Sequence, residues 1–562
     1  MQYKQRRPKP LKGLLKTLLC ISFYIPLVVF SQTTYLPQGA RENVLLERME
    51  IKAVTDSVLN FSKNRPFSRA QFIPALQRVA AGMQLSKVDA YNLALAQASN
   101  IEYATNRDSI VSKRRFLKTF YKTPANFYEV NVKDFQLVIN PVFQYMVGKE
   151  QNSSDHLFLN SRGITLRGSI ADKISFVSYI TDNQERDPLY VRQWVSERQA
   201  VPGQGYFKDF KVTGYDYIDA RGYINFKAAK YIDVTFGYDR NFIGNGYRSL
   251  YLSDFSTNVL FLKLNTRIWK FNYQNLFMEL VSAYQRGADQ LLGKKYAAMH
   301  HLDVNVTKWL NIGLFEGIVF GQRNRFEFGY LNPVIFYRSA EQQNGSPDNA
   351  VLGVDAKANL VKHVQLYGQL ILDEFKLNEL KKKWWGNKFG FQLGAKYIDA
   401  FGIANLDLQG EWNRVRPFTY SHDDSVANYT NYNQPLAHPL GANFNELIGI
   451  VRYQPIPRLM VQAKAIYYKQ GKDVGAVSYG SNILLPNGPP YRTFDYGYEV
   501  GSGALNKVGY ASLLLSYEVK PNLYVEANGI YRSQAAPSTT NQNTTIISAG
   551  IRWNMHRREF DF

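Results

Sequence analysis

The chain has 562 residues, a formal net charge of +21 and a mean hydropathy of -0.31, with 39 Tyr, 35 Phe and 7 Trp. Negative hydropathy with so many rings excludes a helical membrane protein, and suits a barrel whose wall alternates between lipid and a polar lumen. A single cysteine, Cys20, excludes a disulfide framework.

Residues 1–31 read as a secretory signal peptide. Lys4, Arg6, Arg7, Lys9, Lys12 and Lys16 precede an apolar run over 18–30, and Ser31 offers a small residue for cleavage. Removing those six basic residues from +21 leaves +15, and Cys20 departs with them. The basic excess favours anionic surface polysaccharide or lipopolysaccharide as partner, and export argues against nucleic acid. Beyond residue 31 no run of about twenty apolar residues is available for a transmembrane helix.

Residues 32–130 predict a small α-helical module on the periplasmic side. Helical spacing runs over 42–59, with Leu45, Leu46, Met49, Val54 and Leu59 near one face. It resumes over 68–82, where Ser68 is a candidate N-cap, and over 86–104. Residues 113–118 form a basic patch leading to the first strand.

From residue 131 to 562 the pattern changes to alternating runs of about ten residues, joined by turns that are short, then long, then short. The runs lie near 134–147, 159–170, 174–182, 216–227, 231–238, 260–268, 271–281, 299–307 and 310–320. They continue over 350–361, 364–375, 387–398, 403–413, 443–453, 459–469, 506–518, 523–532 and 544–554. An open sheet edge in hydrocarbon leaves backbone groups unpaired at several kcal/mol each, so the expected fold is an all-β transmembrane barrel of about 18 antiparallel strands. An even count returns the chain to the periplasmic side. The aromatic at Phe562, after an alternating strand, is similar to the signal read by the outer-membrane insertion machinery.

The long loops carry the chemistry. Arg240, Asn241, Tyr247 and Arg248, around Gly244 and Gly246, combine forked donors, a ring and a tight backbone path. That mixture suits sugar recognition, and equally suits a loop folded into the barrel with its arginines paired to wall carboxylates. Arg323, Arg325 and Tyr330, with the neighbouring rings and Arg338, suit an acidic glycan or a rigid plug held by cation–π packing. Residues 381–385, three lysines and two tryptophans, read as an interfacial anchor. His422, Asp423 and Asp424 could take a divalent cation, but a solvated loop is the simpler reading. Adjacent His300 and His301 point to opposite faces of a strand and do not share a metal. No hydrolase or phosphate-binding motif is present, so neither an enzyme nor a cofactor or metal site is expected.

The stretch 236–250 resembles the signature region of Wzi-type capsule assembly proteins, and resembles more closely their gliding-motility relatives of the RemB type. Residues 329–333 and Arg65-Pro66-Phe67-Ser68-Arg69 are similar to that group as well. The resemblance implies an outer-membrane barrel that binds capsular polysaccharide without exporting it, in capsule attachment or gliding-associated adhesion. The Pro-Phe-Ser-Arg start also resembles peptidoglycan-binding helical modules, which implies peptidoglycan or periplasmic and outer-membrane proteins as partners of residues 32–130. The alternative is an anion-preferring porin with a ring of Arg and Lys around an open bore.

Overall fold

The computed structural model describes residues 33–562 except 106, 113–118, 152, 288–290, 322–324, 346–347 and 538. The signal peptide, the basic patch over 113–118 and Arg323 therefore lie outside the described residues.

Eighteen antiparallel strands close into one barrel. In chain order they are β1 Phe135–Glu150, β2 His156–Ile170, β3 Ile174–Arg186, β4 Gly214–Ala229, β5 Ile232–Asp239, β6 Val259–Ile268, β7 Phe271–Val281, β8 Lys294–Asn305 and β9 Leu310–Phe320. The second half comprises β10 Asn349–Leu360, β11 Val364–Glu374, β12 Lys388–Tyr397, β13 Leu406–Val415, β14 Phe444–Ile456, β15 Leu459–Lys472, β16 Ala504–Lys520, β17 Leu523–Ala536 and β18 Thr539–Trp553. Each strand pairs with its sequence neighbour, and β18 closes on β1 in a register running from Ile546 opposite Glu150 to Trp553 opposite Phe143. Short strands Tyr128–Val132 and Lys208–Phe210, which the alternation did not signal, add to β1 and β4.

The pleat explains the pattern. On β10, Asn349, Val351, Gly353, Asp355, Lys357 and Asn359 face the lumen, whereas Leu352, Val354 and Leu360 face outward, Val354 at 48% exposure. Strand lengths divide the wall in two. β1–β4 have 16, 15, 13 and 16 residues and β14–β18 have 13, 14, 17, 14 and 15. The intervening β5–β13 have 8 to 12. The extra residues are not all on one side: β1 runs from Val142 to Phe135 past Trp553 on the tight-turn side, whereas β18 runs from Thr545 to Thr539 past Glu150 on the long-loop side.

Three helices precede the wall: α1 Arg41–Ala53, α2 Arg69–Ala81 and α3 Lys87–Ser99. The first is shorter than its periodicity predicts, because Val54 adopts φ 60° and ends it. Ser86 caps α3 by accepting from the Asp89 N–H, whereas Ser68 precedes α2 without capping it and faces Thr33 Oγ1 at 2.9 Å instead. Leu45, Leu46, Met49, Leu59, Phe67, Phe72 and Leu76 make one buried core.

This module seats on the tight-turn end of the barrel. The enclosed Arg48 guanidinium meets Asp89 at 3.2 Å, Asp399 at 2.8 Å and Asp407, the last two at the turn between β12 and β13. Glu50 pairs with lumenal Lys357 at 2.5 Å, Lys63 pairs with lumenal Asp355, and Asn60 donates to Asn305 at 2.8 Å. Burying so many charges is tolerable only because each has a partner.

Two further helices, α4 Leu189–Arg198 and α5 Tyr337–Gln343, lie in long loops that the sequence reading left irregular. The chain after β18 does not stay in the wall. Residues 554–562 climb inside the lumen, where Arg558 pairs with Glu185 near the outer end of β3 and Phe562 packs on Trp194 of α4 at 5.6 Å. The last wall aromatic is Trp553, so Phe562 is a packing residue and does not terminate a strand.

Candidate functional site

The loop 240–258 carries four of the expected glycan-binding residues, and it lies within the bore. Phe242 and Ile243 pair antiparallel with Arg65 and Asn64 of the helical module, and Ile243 bridges to Leu252. The wall holds the loop by its backbone: Glu411 accepts from the N–H of Tyr247 at 2.7 Å and of Arg248 at 3.0 Å, Gln369 accepts from Leu250, and Gln392 donates to the Arg248 carbonyl. Gly246 is required there. A Cβ on it would stand 2.6 Å from Gln392 Oε1 and from Glu411 Oε2.

The four side chains are engaged inside the bore, although Asn241 Nδ2 and Arg248 Nε have no hydrogen-bond partner among the described residues. Arg240 donates to Asn258 Oδ1 at 3.1 Å and to the carbonyls of Asp254 and Gly203. Burial, then nearby Arg221, lowers its guanidinium from the ordinary arginine range. Asn241 accepts from Lys263 at 3.2 Å. Arg248 pairs with Asp561 at 3.0 Å and lies 3.7 Å from Glu446, and Tyr247 donates to Asp561. Lys464 on β15 completes this knot, reaching Tyr247 Oη at 2.7 Å, Asp561 at 2.5 Å and Glu559. These are the contacts of a loop folded into the barrel, one of the two uses open to these residues.

The loop between β13 and β14 folds over it. Tyr420 donates to the Leu250 carbonyl at 2.8 Å, Tyr429 to that of Tyr251 at 2.7 Å, and Tyr251 stacks on wall Phe315 with centroids 4.4 Å apart. His422 sits here too: its Nδ1 accepts from the Asp424 N–H at 3.2 Å, which makes the segment a turn. Among the described residues no group of three His, Cys, Asp or Glu is arranged to hold a metal.

Arg325 is exposed and Tyr330 is fully buried, but not in the lumen. The segment 325–344 folds down the outer face of β7–β9. Tyr330 and Tyr337 cover Phe277, Ala298, Ile318 and Phe320 there, and Tyr330 donates to Asp348 at 2.7 Å. His300 lies under Tyr337 at 3.9 Å between ring centroids, while His301 faces inward to Asp355 at 2.9 Å, so the two histidines do point to opposite faces.

A surface that reads as a binding face comes from residues the sequence reading gave another role. Arg416 donates to the carbonyls of Asn387 at 2.6 Å, Trp384 at 3.1 Å and Tyr498 at 3.2 Å, which clasps loop 375–387 to loop 473–503. The Trp385 N–H donates to the Asp495 carbonyl at 3.0 Å, and Arg492 lies 4.1 Å over the Trp385 ring. The two tryptophans therefore pack loop against loop. On this base stand Tyr491, Phe494 and Tyr496, at 37%, 57% and 52% exposure. Beside them are exposed Lys381, Lys382 and Lys383. Lys382 pairs with Glu379 at 3.2 Å and Lys383 with Glu499 at 2.9 Å, and Lys381 has no ion pair among the described residues. Pairs this exposed are worth about 0–1 kcal/mol and yield readily to a ligand anion.

Residues 216–544, more than half of the chain, match the family model of the capsule assembly protein Wzi. The chain belongs to the Wzi capsule assembly family. Among solved structures it is similar to Wzi of Escherichia coli, described as an outer-membrane protein involved in group 1 capsule assembly and a carbohydrate-binding β-barrel. Identity is 14%, the TM-score 0.55, and 93% of this chain and 100% of that one are covered. OprD of Pseudomonas aeruginosa follows at 10% identity and a TM-score of 0.42, covering 74% and 94%. OccAB2 of Acinetobacter baumannii is also 10% identical, at a TM-score of 0.41, covering 74% and 98%. No curated protein sequence matches this one. The chain is thus an outer-membrane β-barrel of that family.

Proposed function

We propose that this Wzi-family barrel is a non-catalytic holder of acidic polysaccharide at the cell surface, with the clasped loops 375–387 and 473–503 as its docking face. The carrying observation is the exposed trio Tyr491, Phe494 and Tyr496 beside Lys381–Lys383 on a base made rigid by Arg416. Rings receive the C–H face of a pyranose and ammonium groups receive its carboxylates. The residue division supporting this reading is a signal peptide over 1–31, a helical module over 32–130 and the barrel over 131–562. The module face offers peptidoglycan or periplasmic proteins a surface beneath the membrane. A role in gliding-associated adhesion, as in RemB-type relatives, is the finer form of the same reading.

An anion-preferring porin needs an open bore, and the inward side chains of the helical module, loop 240–258 and loop 416–443 oppose one. The test combines two measurements on the full chain. Planar-bilayer recordings should show no steady current, and immobilised barrel should bind surface polysaccharide saturably. Charge reversal at Lys381, Lys382 and Lys383 together should weaken binding, and the weakening should shrink in high salt. Large currents with no polysaccharide binding would sink the reading.

A further inference from the structure

Between β1, β2, β15–β18 and the segment 554–562 lies a cavity of about 110 Å3, covered by Pro188 and Tyr190 at the start of α4. By the measure in which one water needs about 10–15 Å3, it holds several waters or one sugar ring.

Most of its charges are already matched. Glu185 pairs with Arg558, Glu559 with Lys464 and Arg557, and Glu526 with Arg552. What is left over is hydrogen-bonding capacity of both kinds. Gln144 Oε1 and Asp187 Oδ2 have no partner, in side chains only 5% and 7% exposed, and neither do Arg557 Nη1 and Arg558 Nε. Ser512, Asn528 and Ser548 add hydroxyl and amide groups, and Tyr190, Tyr510 and Phe560 add rings. Burial and neighbouring Glu185 push the Asp187 carboxyl well above the usual range, so it can donate as well as accept.

An anion in this space would face Glu185, Glu526 and Glu559, and a cation would face Arg186, Arg557 and Arg558. A hydroxyl group both donates and accepts, and so satisfies the two sets of free atoms at once. We propose that this lumenal cavity is a second ligand site, separate from the loop platform, that takes one uncharged, hydroxyl-rich ring such as a terminal pyranose.

Titration calorimetry on the full chain, in an amine-oxide detergent without sugar headgroups, tests this with methyl glucoside, methyl galactoside, methyl glucuronide and glycerol as probes. At least one neutral glycoside should bind saturably, and the glucuronide should bind at least about tenfold more weakly. Gln144→Leu and Asp187→Ala should each weaken the glycoside by about tenfold. Ser548→Trp, which fills the cavity and takes away only one hydroxyl, should abolish binding. Charge reversal at Lys381–Lys383 should leave it unchanged. Failure of both neutral glycosides, equal binding of glycerol, or indifference to Ser548→Trp would overturn the proposal. A barrel that binds a glycoside here but no polysaccharide would instead overturn the platform reading alone.

Discussion

Replacing Lys464 by Met should unlock the plug. The Lys464 side chain is fully enclosed, and its ammonium joins wall strand β15 to Asp561, Glu559 and Tyr247. Methionine keeps the volume and removes the charge, stranding two carboxylates, of which Asp561 retains Arg248 at 3.0 Å and Glu559 retains Arg557 at 3.4 Å. Breaking a buried pair by removing one partner costs about 3–5 kcal/mol. At about 1.4 kcal/mol per factor of ten, the equilibrium between seated and released tail moves by roughly two to four powers of ten. The strands keep their pairing, so the cost falls on residues 554–562 and on loop 240–258. Amide hydrogen exchange in micelles reads this directly: 555–562 should exchange at least about a hundredfold faster in the variant, with β14–β16 unchanged. Exchange of 555–562 within a few fold of the parent would refute the reasoning, because the knot would then be ornamental to a tail held by Phe562 and Trp194.

Arg48→Ala leaves Asp89, Asp399 and Asp407 without their shared cation, so α1–α3 should become protease-sensitive in intact micelles while the barrel resists. Gly353→Val places carbon where a Cβ already stands 2.4 Å from the Tyr251 ring, breaking its stack on Phe315. The expected loss is about 1–3 kcal/mol, seen as a lower thermal midpoint and flickering current in bilayers. Tyr337→Ala removes a fully buried ring from the outer-wall segment, and protease added to whole cells should then cut within 325–344 at a rate the parent does not show.

The wall was legible because a pleated strand between lipid and lumen has no choice of pattern: β7 and β9 match the predicted runs at both ends, and others differ by a few residues. The helices were legible by their spacing, up to the backbone break at Val54. The sites were not. Arg240 and Arg248 look the same in sequence whether they face a glycan or a carboxylate such as Asp561, some three hundred residues away. Trp384 and Trp385 beside three lysines satisfy the rule for a membrane anchor, and only the distant carbonyls that Arg416 gathers show them to be a loop base. Residues 554–562 carried no pattern at all, because a segment threaded through a lumen alternates with nothing.

The unequal strand lengths carry a consequence for how a polymer meets this protein. On the loop side β18 runs from Thr545 to Thr539 past Glu150 of β1, and at ~3.3 Å per residue and a tilt near 40° the rim over β15–β18 stands on the order of 10 Å higher. The mouth is therefore slanted like the roof of a lean-to. The clasped loops span its slope, one rising from the high side after β15 and the other from the low side after β11. A chain lying along the membrane can slide onto the slope from the low side, whereas from the high side it meets a parapet. On the proposed reading, such a mouth gives a held polysaccharide a heading as well as an anchorage.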